Sequence, residues 1–486
     1  MSNQIIGREN EKKQLDRLFK LNKSILLAVY GRRRVGKTFL INEFFSNKFF
    51  FKHTGISKTE FKGKTSDEIL KIQLGYFSDS LKEYGADFTG DIDSWREAFN
   101  ELRKLIKKDT SNERKVIFID EMPWLDTPSA YFLTAFEHFW NDFGSTRSDL
   151  LFIICGSATS WIENKIINSK GGLYNRVNYE LKIEPLSLKE CEDFCIASDI
   201  NLRRYQITQL YMILGGIPFY LSYFDNSLTL EQNIDNLFFI RNAKMLNEFD
   251  RLFDSTFESP ESVKELITIL AQSKLGLTKN EICKMSTFSE GGTLSNILDA
   301  LIVNGFVLKY KSFKTSERSW RYKIIDPFCL FYLRFVKNHE KIDDFFWSKN
   351  FTSQSIISWR GNAFEIVCFN HIKQIKNKIN ILGLSSSESL WYEKGDNITH
   401  SGAQIDLLII RKDNVVNICE AKFYGDNYHL DKEDYNKALN REKALALSLN
   451  KRTIIEHVLI TTFGLEKNMY SDLYKTVVTL DDLFVY

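Results

Sequence analysis

At 486 residues the chain is too long for one ordinary hydrophobic core, and a prior of about 100 to 200 residues per domain points to three or four domains. Hydrophobic content of 43% and charged content of 26%, with only 6 Pro, exclude a largely disordered chain, and a net charge of +2 excludes a global nucleic-acid signature, leaving local patches for that role. The start, "MSNQIIGRENEKKQL", is polar and the longest apolar runs are strand-sized, so the expectation is a soluble, cytoplasmic protein with no membrane segment. The 7 Cys are odd in number and mostly sit in apolar runs, which suits reduced, buried thiols; Cys191 and Cys195 read as one half-buried helix face rather than as half of a zinc site.

In chain order, "SILLAVYGRRRVGKTFLINEFF" reads as a buried strand, a glycine-bounded loop and an amphipathic helix. Gly31, Gly36, Lys37 and Thr38 stand at P-loop spacing: glycines let backbone N–H groups close around phosphate, Lys37 reaches the β and γ phosphates, and Thr38 ligates Mg²⁺. The strand in "ERKVIFIDEMPWL" ends in Asp120 and Glu121, where the first acid can hold Mg²⁺ through its water shell and the second can polarise the attacking water, a Walker B pair. A third strand, "DLLFIICGSATSW", delivers Gly156, Ser157 and Thr159; Ser157 suits a γ-phosphate sensor and a helix N-cap equally. Beyond it, Arg176 in "GGLYNRVNYELKIEPLS" precedes another strand, placed to meet a nucleotide, its own or a neighbouring subunit's, or to pair with a surface acid.

"IIGRENEKKQL", "GRRRVGKT", "VIFIDEMPWL", "FIICGSA", "LYNRV" and "GGIPFYL" occur in the order seen in archaeal-type ATPases of the AAA+/STAND group, and the first half of the chain resembles them. That resemblance implies ATP as ligand and a parallel sheet with an extra strand between the Walker A and B strands, followed by a helical lid. It also implies that Gly7, Arg8 and Glu9 lie near the adenine, that Gly215, Gly216 and Pro218 cap the nucleotide, and that Arg176 is a sensor or finger arginine. Geometry alone would explain "GGIP" as a helix-ending turn.

Residues 260 to 323 show three helical periods and then a strand pair, the winged-helix order. The third helix contains no Lys or Arg, whereas the hairpin sets Lys309, Lys311, Lys314, Arg318, Arg321 and Lys323 against one acid, Glu317. Such a wing can lie along a DNA backbone, and a solvated hairpin or a relay role gives the same string.

From residue 340 a helix, "SWRGNAFEIVCFNHIKQI", leads to a hairpin with Asp406 on one strand and "EAK", Glu420 to Lys422, on the next. Residues i and i+2 share a strand face, so Glu420 and Lys422 point together and Asp406 can join them. Two carboxylates are hard ligands for Mg²⁺ or Mn²⁺, an ammonium can activate water, and Glu365 of the preceding helix is a candidate third acid. "GAQIDLLI" and "ICEAKF" resemble the PD-(D/E)XK nuclease superfamily, and their place behind an archaeal-type ATPase resembles the uncharacterised C-terminal domain of that ATPase family. The superfamily includes members that keep the fold without cleavage, and a later helix residue such as Asn436 or Lys443 is a further candidate. The expected architecture is α/β: a P-loop parallel-sheet core over 1–195, a helical lid over 196–258, a winged helix over 259–335 and a PD-(D/E)XK-like α/β domain over 336–486. The function expected is an ATP-hydrolysing ATPase, monomeric or oligomeric, regulating a DNA-acting, nuclease-like domain; the alternative is a slow nucleotide-gated switch or scaffold whose C-terminal domain binds nucleic acid or a partner protein without cleavage.

Overall fold

A computed structural model of the chain describes residues 4–61, 63–128, 130–169, 171–257, 259–311, 320–337, 339, 343–393 and 403–486. They form two compact units, the first comprising Met1–Pro185 with Asp254–Glu258 and the second Leu186–Phe253 with Ser259–Tyr486.

The N-terminal unit is built on strands β1 (Ile25–Tyr30), β2 (Phe49–Thr54), β3 (Lys115–Asp120), β4 (Leu150–Gly156) and β5 (Tyr179–Lys182), all parallel, in the order β2-β3-β4-β1-β5. Strands β1, β3 and β4 are buried at every residue, which is why they read as unbroken apolar runs: a parallel sheet covered on both faces has no solvent side to demand polar alternation. The order places β4 between β1 and β3, so the loop after β1 and the acids ending β3 come from strands flanking a third, at the carboxyl edge where such sheets bind ligands. The helix Trp95–Lys108 starts at Ser94, whose side chain accepts from the Glu97 N–H at 3.3 Å, and buries Trp95, Phe99 and Leu102. Phe77 meets Trp95 edge-on at 5.4 Å, and each such aromatic contributes on the order of 1.5–3 kcal/mol by leaving water.

In the C-terminal unit the segments expected as lid, winged helix and nuclease-like domain pack together. The helices Leu188–Ala197, Arg204–Leu214 and Leu230–Phe238 come first. The helices Pro260–Leu270, Lys279–Met285 and Gly292–Val303 follow, with an antiparallel sheet of β6 (Leu277–Thr278), β7 (Val307–Lys311) and β8 (Trp320–Ile324) in the order β6-β8-β7. The last sheet is mixed: β9 (Ser386–Glu393), β10 (Ala403–Arg411) and β11 (Val415–Lys422) run antiparallel, β12 (Ile454–Thr461) and β13 (Tyr474–Val478) add parallel to β11, and the order is β13-β12-β11-β10-β9.

Buried polar contacts distant in sequence hold these segments together. Asp235 accepts from the backbone N–H of Trp347 (2.7 Å) and Ser348 (3.0 Å), and so caps the helix Phe346–Asn350 from a helix more than a hundred residues earlier. His371 Nε2 accepts from the Leu188 N–H at 2.9 Å while Nδ1 faces the Val367 carbonyl at 2.8 Å, which defines a neutral imidazole with its proton on Nδ1. Arg204 bridges Glu192 (2.7 Å) and Asp481 (2.8 Å). Among the described residues no helix is long and apolar enough to cross a membrane.

Candidate functional site

The loop after β1 needs its first glycine: Gly31 has φ 141°, and a Cβ there would stand 2.3 Å from the Ile183 carbonyl oxygen. Lys37, buried at the start of the helix Lys37–Phe44, donates to the carbonyls of Gly31 (2.8 Å) and Arg32 (2.9 Å). Burial pulls its ammonium below the ordinary lysine range, and the nearby Cys155, Glu121 and Asp120 pull it back. Thr38 Oγ1 donates to Asp120 Oδ2 at 2.8 Å, which sets two hard oxygens side by side as Mg²⁺ requires. Glu121 takes a left-handed backbone, φ 45°, and its Oε2 accepts from the N–H (3.1 Å) and hydroxyl (3.0 Å) of Ser157. Burial raises its carboxyl above the usual range, with the charge of Asp120 adding to the effect.

Five residues predicted from separate motifs, Lys37, Thr38, Asp120, Glu121 and Ser157, therefore meet at one edge of the sheet. Ser157 reaches them by fixing Glu121. Arg8, expected near the adenine, sends its guanidinium to the Val35 carbonyl (3.1 Å) and so braces the P-loop itself. Arg176 is exposed in the turn ahead of β5. The "GGIP" residues lie in the C-terminal unit, where Gly215 (φ 68°) ends the helix Arg204–Leu214 and Pro218 opens the helix Pro218–Leu221. Gly216 O accepts from the Leu186 N–H at 2.8 Å. Geometry accounts for this motif as a helix-ending turn with a close backbone approach.

The second cluster lines a cavity of about 1020 Å³ holding Glu365, Asp406, Glu420, Lys422 and Arg441. Leu407 pairs with Cys419 across β10 and β11, so Asp406 and Glu420 stand opposite one another at the next position. Lys422 Nζ lies 3.1 Å from Glu420 Oε1, as shared facing demands, and Arg441 Nη1 lies 2.6 Å from Oε2. Asp406 Oδ1 accepts from Gln404 Nε2 at 3.4 Å. Burial, reinforced by the charges of Glu365 and Glu420, holds the Asp406 carboxyl well above the usual range; Glu365 is raised by burial, with Lys323 opposing. Carboxylates that raise one another in this way are a donor set a divalent cation would relieve. Among the described residues, however, no three His, Cys, Asp or Glu side chains are gathered closely enough to hold a metal ion.

Two residues here differ from the sequence reading. Arg441, rather than Asn436 or Lys443, reaches Glu420; it falls three residues after buried Ala438 and four before buried Leu445, so helical periodicity carried the signal. Lys323, grouped with the wing cations, is 6% exposed and pairs inward with Glu365 at 3.7 Å. Of the other wing cations, Arg321 donates to the Gly276 carbonyl (2.8 Å), and Lys309 and Lys311 lie over the Trp320 ring at 4.9 and 4.8 Å. Lys314, Glu317 and Arg318 fall outside the described residues.

Residues 5–224 match the family model of an ATPase domain found predominantly in Archaea. This part of the chain is a P-loop ATPase domain of that family. The ATPase domain's match runs past the break between the two units to take in the helix Arg204–Leu214 and the glycine turn. The chain is 26% identical over 410 residues to an uncharacterized protein of Methanocaldococcus jannaschii, covering 81% of this chain and 83% of that one. An uncharacterized ATP-binding protein of the same organism is 49% identical over 43 residues, 9% of this chain and 73% of the relative. Among solved structures, the Walker-type ATPase PABY2304 of Pyrococcus abyssi is similar at 20% identity with a TM-score of 0.46, over 68% of this chain and 96% of that one.

Proposed function

We propose that the chain hydrolyses ATP in its N-terminal unit and that the nucleotide cycle regulates a nuclease-like C-terminal domain with DNA as its substrate. The observation that carries the first part is the Thr38–Asp120 hydrogen bond, with Glu121 next in the chain and Lys37 at the loop. In this reading Lys37 exchanges two carbonyls for the β and γ phosphates, Thr38 and Asp120 hold Mg²⁺, and Glu121, oriented by Ser157, takes the proton of the attacking water. Bound Mg²⁺ supplies charge neutralisation at the phosphate oxygens. Arg8 keeps the loop in shape, and Arg176 is assigned to a nucleotide of its own or of a neighbouring subunit.

The helix order and antiparallel sheet over 259–335 support a winged helix there, used as a relay more than as a DNA reader, because Lys323 and Arg321 are turned to protein partners. For 336–486 the support is the facing of Asp406 and Glu420, with Lys422 on the same side. Asp406 and Glu420 are the facing pair that would contact Mg²⁺ or Mn²⁺, with Glu365 having to close in as a third ligand, and the cation would supply a polarised phosphate and a more acidic water when bound. Lys422 would stabilise the charge that develops on the phosphate.

A second reading, a nucleotide-gated switch whose C-terminal domain binds nucleic acid or a partner protein without cutting, draws support from Glu420 and Glu365 already standing beside Arg441, Lys422 and Lys323. One set of assays separates the two. Cleavage predicts Mn²⁺-dependent nicking of plasmid DNA that disappears in Asp406→Ala and in Lys422→Ala, together with ATP turnover that disappears in Lys37→Ala. Nicking that survives both C-terminal substitutions removes the nuclease reading; turnover with no nicking at all favours the switch.

A further inference from the structure

Beside the carboxylate cavity lies another of about 660 Å³, which shares Lys274, Ser358, Asn362 and Glu365 with it. Ser358, Asn362 and Glu365 are spaced four and three residues apart on the helix Gln354–Asn370, so one helix face walls both spaces. The composition of this second space is one-sided: among the described residues Lys274, Lys323, Arg334 and Lys337 line it, against the single carboxylate of Glu365, with the half-buried ring of Trp359 alongside.

Cations gathered around a concave space repel one another and focus a positive potential into it. Only part of that charge is answered from within. Lys323 pairs with Glu365 at 3.7 Å, while Lys337 Nζ meets a neutral partner, the Thr268 hydroxyl, at 3.2 Å. Lys274, Arg334 and Lys337 are exposed, where an incoming anion can reach them.

The geometry points to this cavity as a binding site for a phosphate-bearing ligand, held by Arg334, Lys337 and Lys274. A guanidinium fork matches two phosphate oxygens, ammonium groups add point charges, and the Ser355 hydroxyl adds a donor. The phosphate has two sources, a free phosphate compound or a nucleic-acid strand. Lys323 lines this cavity and also pairs with Glu365, so an anion seated here competes with Glu365 for the same ammonium. That contact gives the site a route to the carboxylates. The assignment stands whether or not the carboxylate cavity cuts.

The test uses the full chain carrying Lys37→Ala, which disables phosphate binding at the P-loop, in EDTA at low salt. Pyrophosphate is titrated by calorimetry, and a labelled single-stranded oligonucleotide by fluorescence anisotropy. Adding Arg334→Gln with Lys337→Gln is expected to weaken at least one probe by about tenfold and to flatten its salt dependence, while Lys309→Gln with Lys311→Gln on the hairpin leaves it within about twofold. Loss confined to pyrophosphate assigns the site to free phosphate compounds, and loss confined to the oligonucleotide assigns it to a strand. If the double variant loses its native circular dichroism, Lys274→Gln replaces it. Unchanged affinity for both probes in the cavity variant, or no binding of either by the parent, overturns the site.

Discussion

Glu121 combines burial, a neighbouring carboxylate and a two-point hold from Ser157, and each has a consequence for catalysis. The hold fixes where its oxygens point; burial and the charge of Asp120 make it a stronger base than an exposed glutamate. Glu121→Gln keeps the shape and removes the proposed proton acceptor, so kcat for ATP should fall by at least about 100-fold with ATP affinity retained. Because the carboxyl is raised, the parent's kcat should decline on the acid side above the ordinary glutamate value of about 4.3, and that limb should vanish in the variant. Equal turnover in parent and variant would remove Glu121 from the chemistry. The positions of Lys37, Thr38, Asp120 and Glu121 were legible because each motif is local. The inward turn of Lys323 was not, since nothing in "WRYKII" reveals that a glutamate 42 residues later waits on its side of the strand.

Among the elements, the turn Gly215–Pro218 shows how one local signal serves two demands. Gly215 and Gly216 both have positive φ, 68° and 67°, yet their surroundings differ. A Cβ on Gly215 would meet the Pro327 ring at a tight 3.3 Å that a shift of a few tenths of an ångström relieves, whereas one on Gly216 would stand 2.2 Å from the Leu186 carbonyl oxygen. Gly215→Ala should therefore cost about 1–2 kcal/mol, backbone strain with a small displacement at Pro327, and Gly216→Ala should cost clearly more, above about 3 kcal/mol, because the Leu186 backbone must shift. Thermal unfolding of the two variants decides it, and equal melting temperatures would contradict the close approach. Strand type was readable from composition where a run is continuously apolar, as in β1, β3 and β4. Their partners were readable only where a short turn joins them, as between β10 and β11.

At the scale of the whole molecule, His371 ties the segment leaving the ATPase sheet's sequence to the helix that carries Glu365. Burial lowers its pKa from 6.5 to about 4, so between those values the unfolded chain takes up a proton that the folded chain refuses. Stability from this group is complete above pH 6.5 and is lost as the pH falls toward 4, by roughly 3 kcal/mol in the limit. Asp406 and Glu365, raised in the fold, act with the opposite sign and are the same in parent and variant. The melting temperature of His371→Gln should accordingly fall less steeply than the parent's between pH 6.5 and 4, and parallel curves would refute the role given to this histidine.

By itself the sequence determined the P-loop, the acids ending β3, the facing of Glu420 and Lys422, and the type of the elements whose motifs or periods it displays, such as β1, β3, β4, β10 and β11. These depend on residues within a few positions of one another, where backbone geometry and side-chain period act directly. Tertiary structure alone decided that the segments expected as lid, winged helix and nuclease-like domain share one unit, that Arg8 braces the loop, that Arg441 completes the pairing of Glu420, and that Lys323 turns from its hairpin to Glu365. Each of these rests on a buried polar group finding a partner tens or hundreds of residues away. The requirement for a partner is written in the residue, but its identity is set only when the chain closes around it.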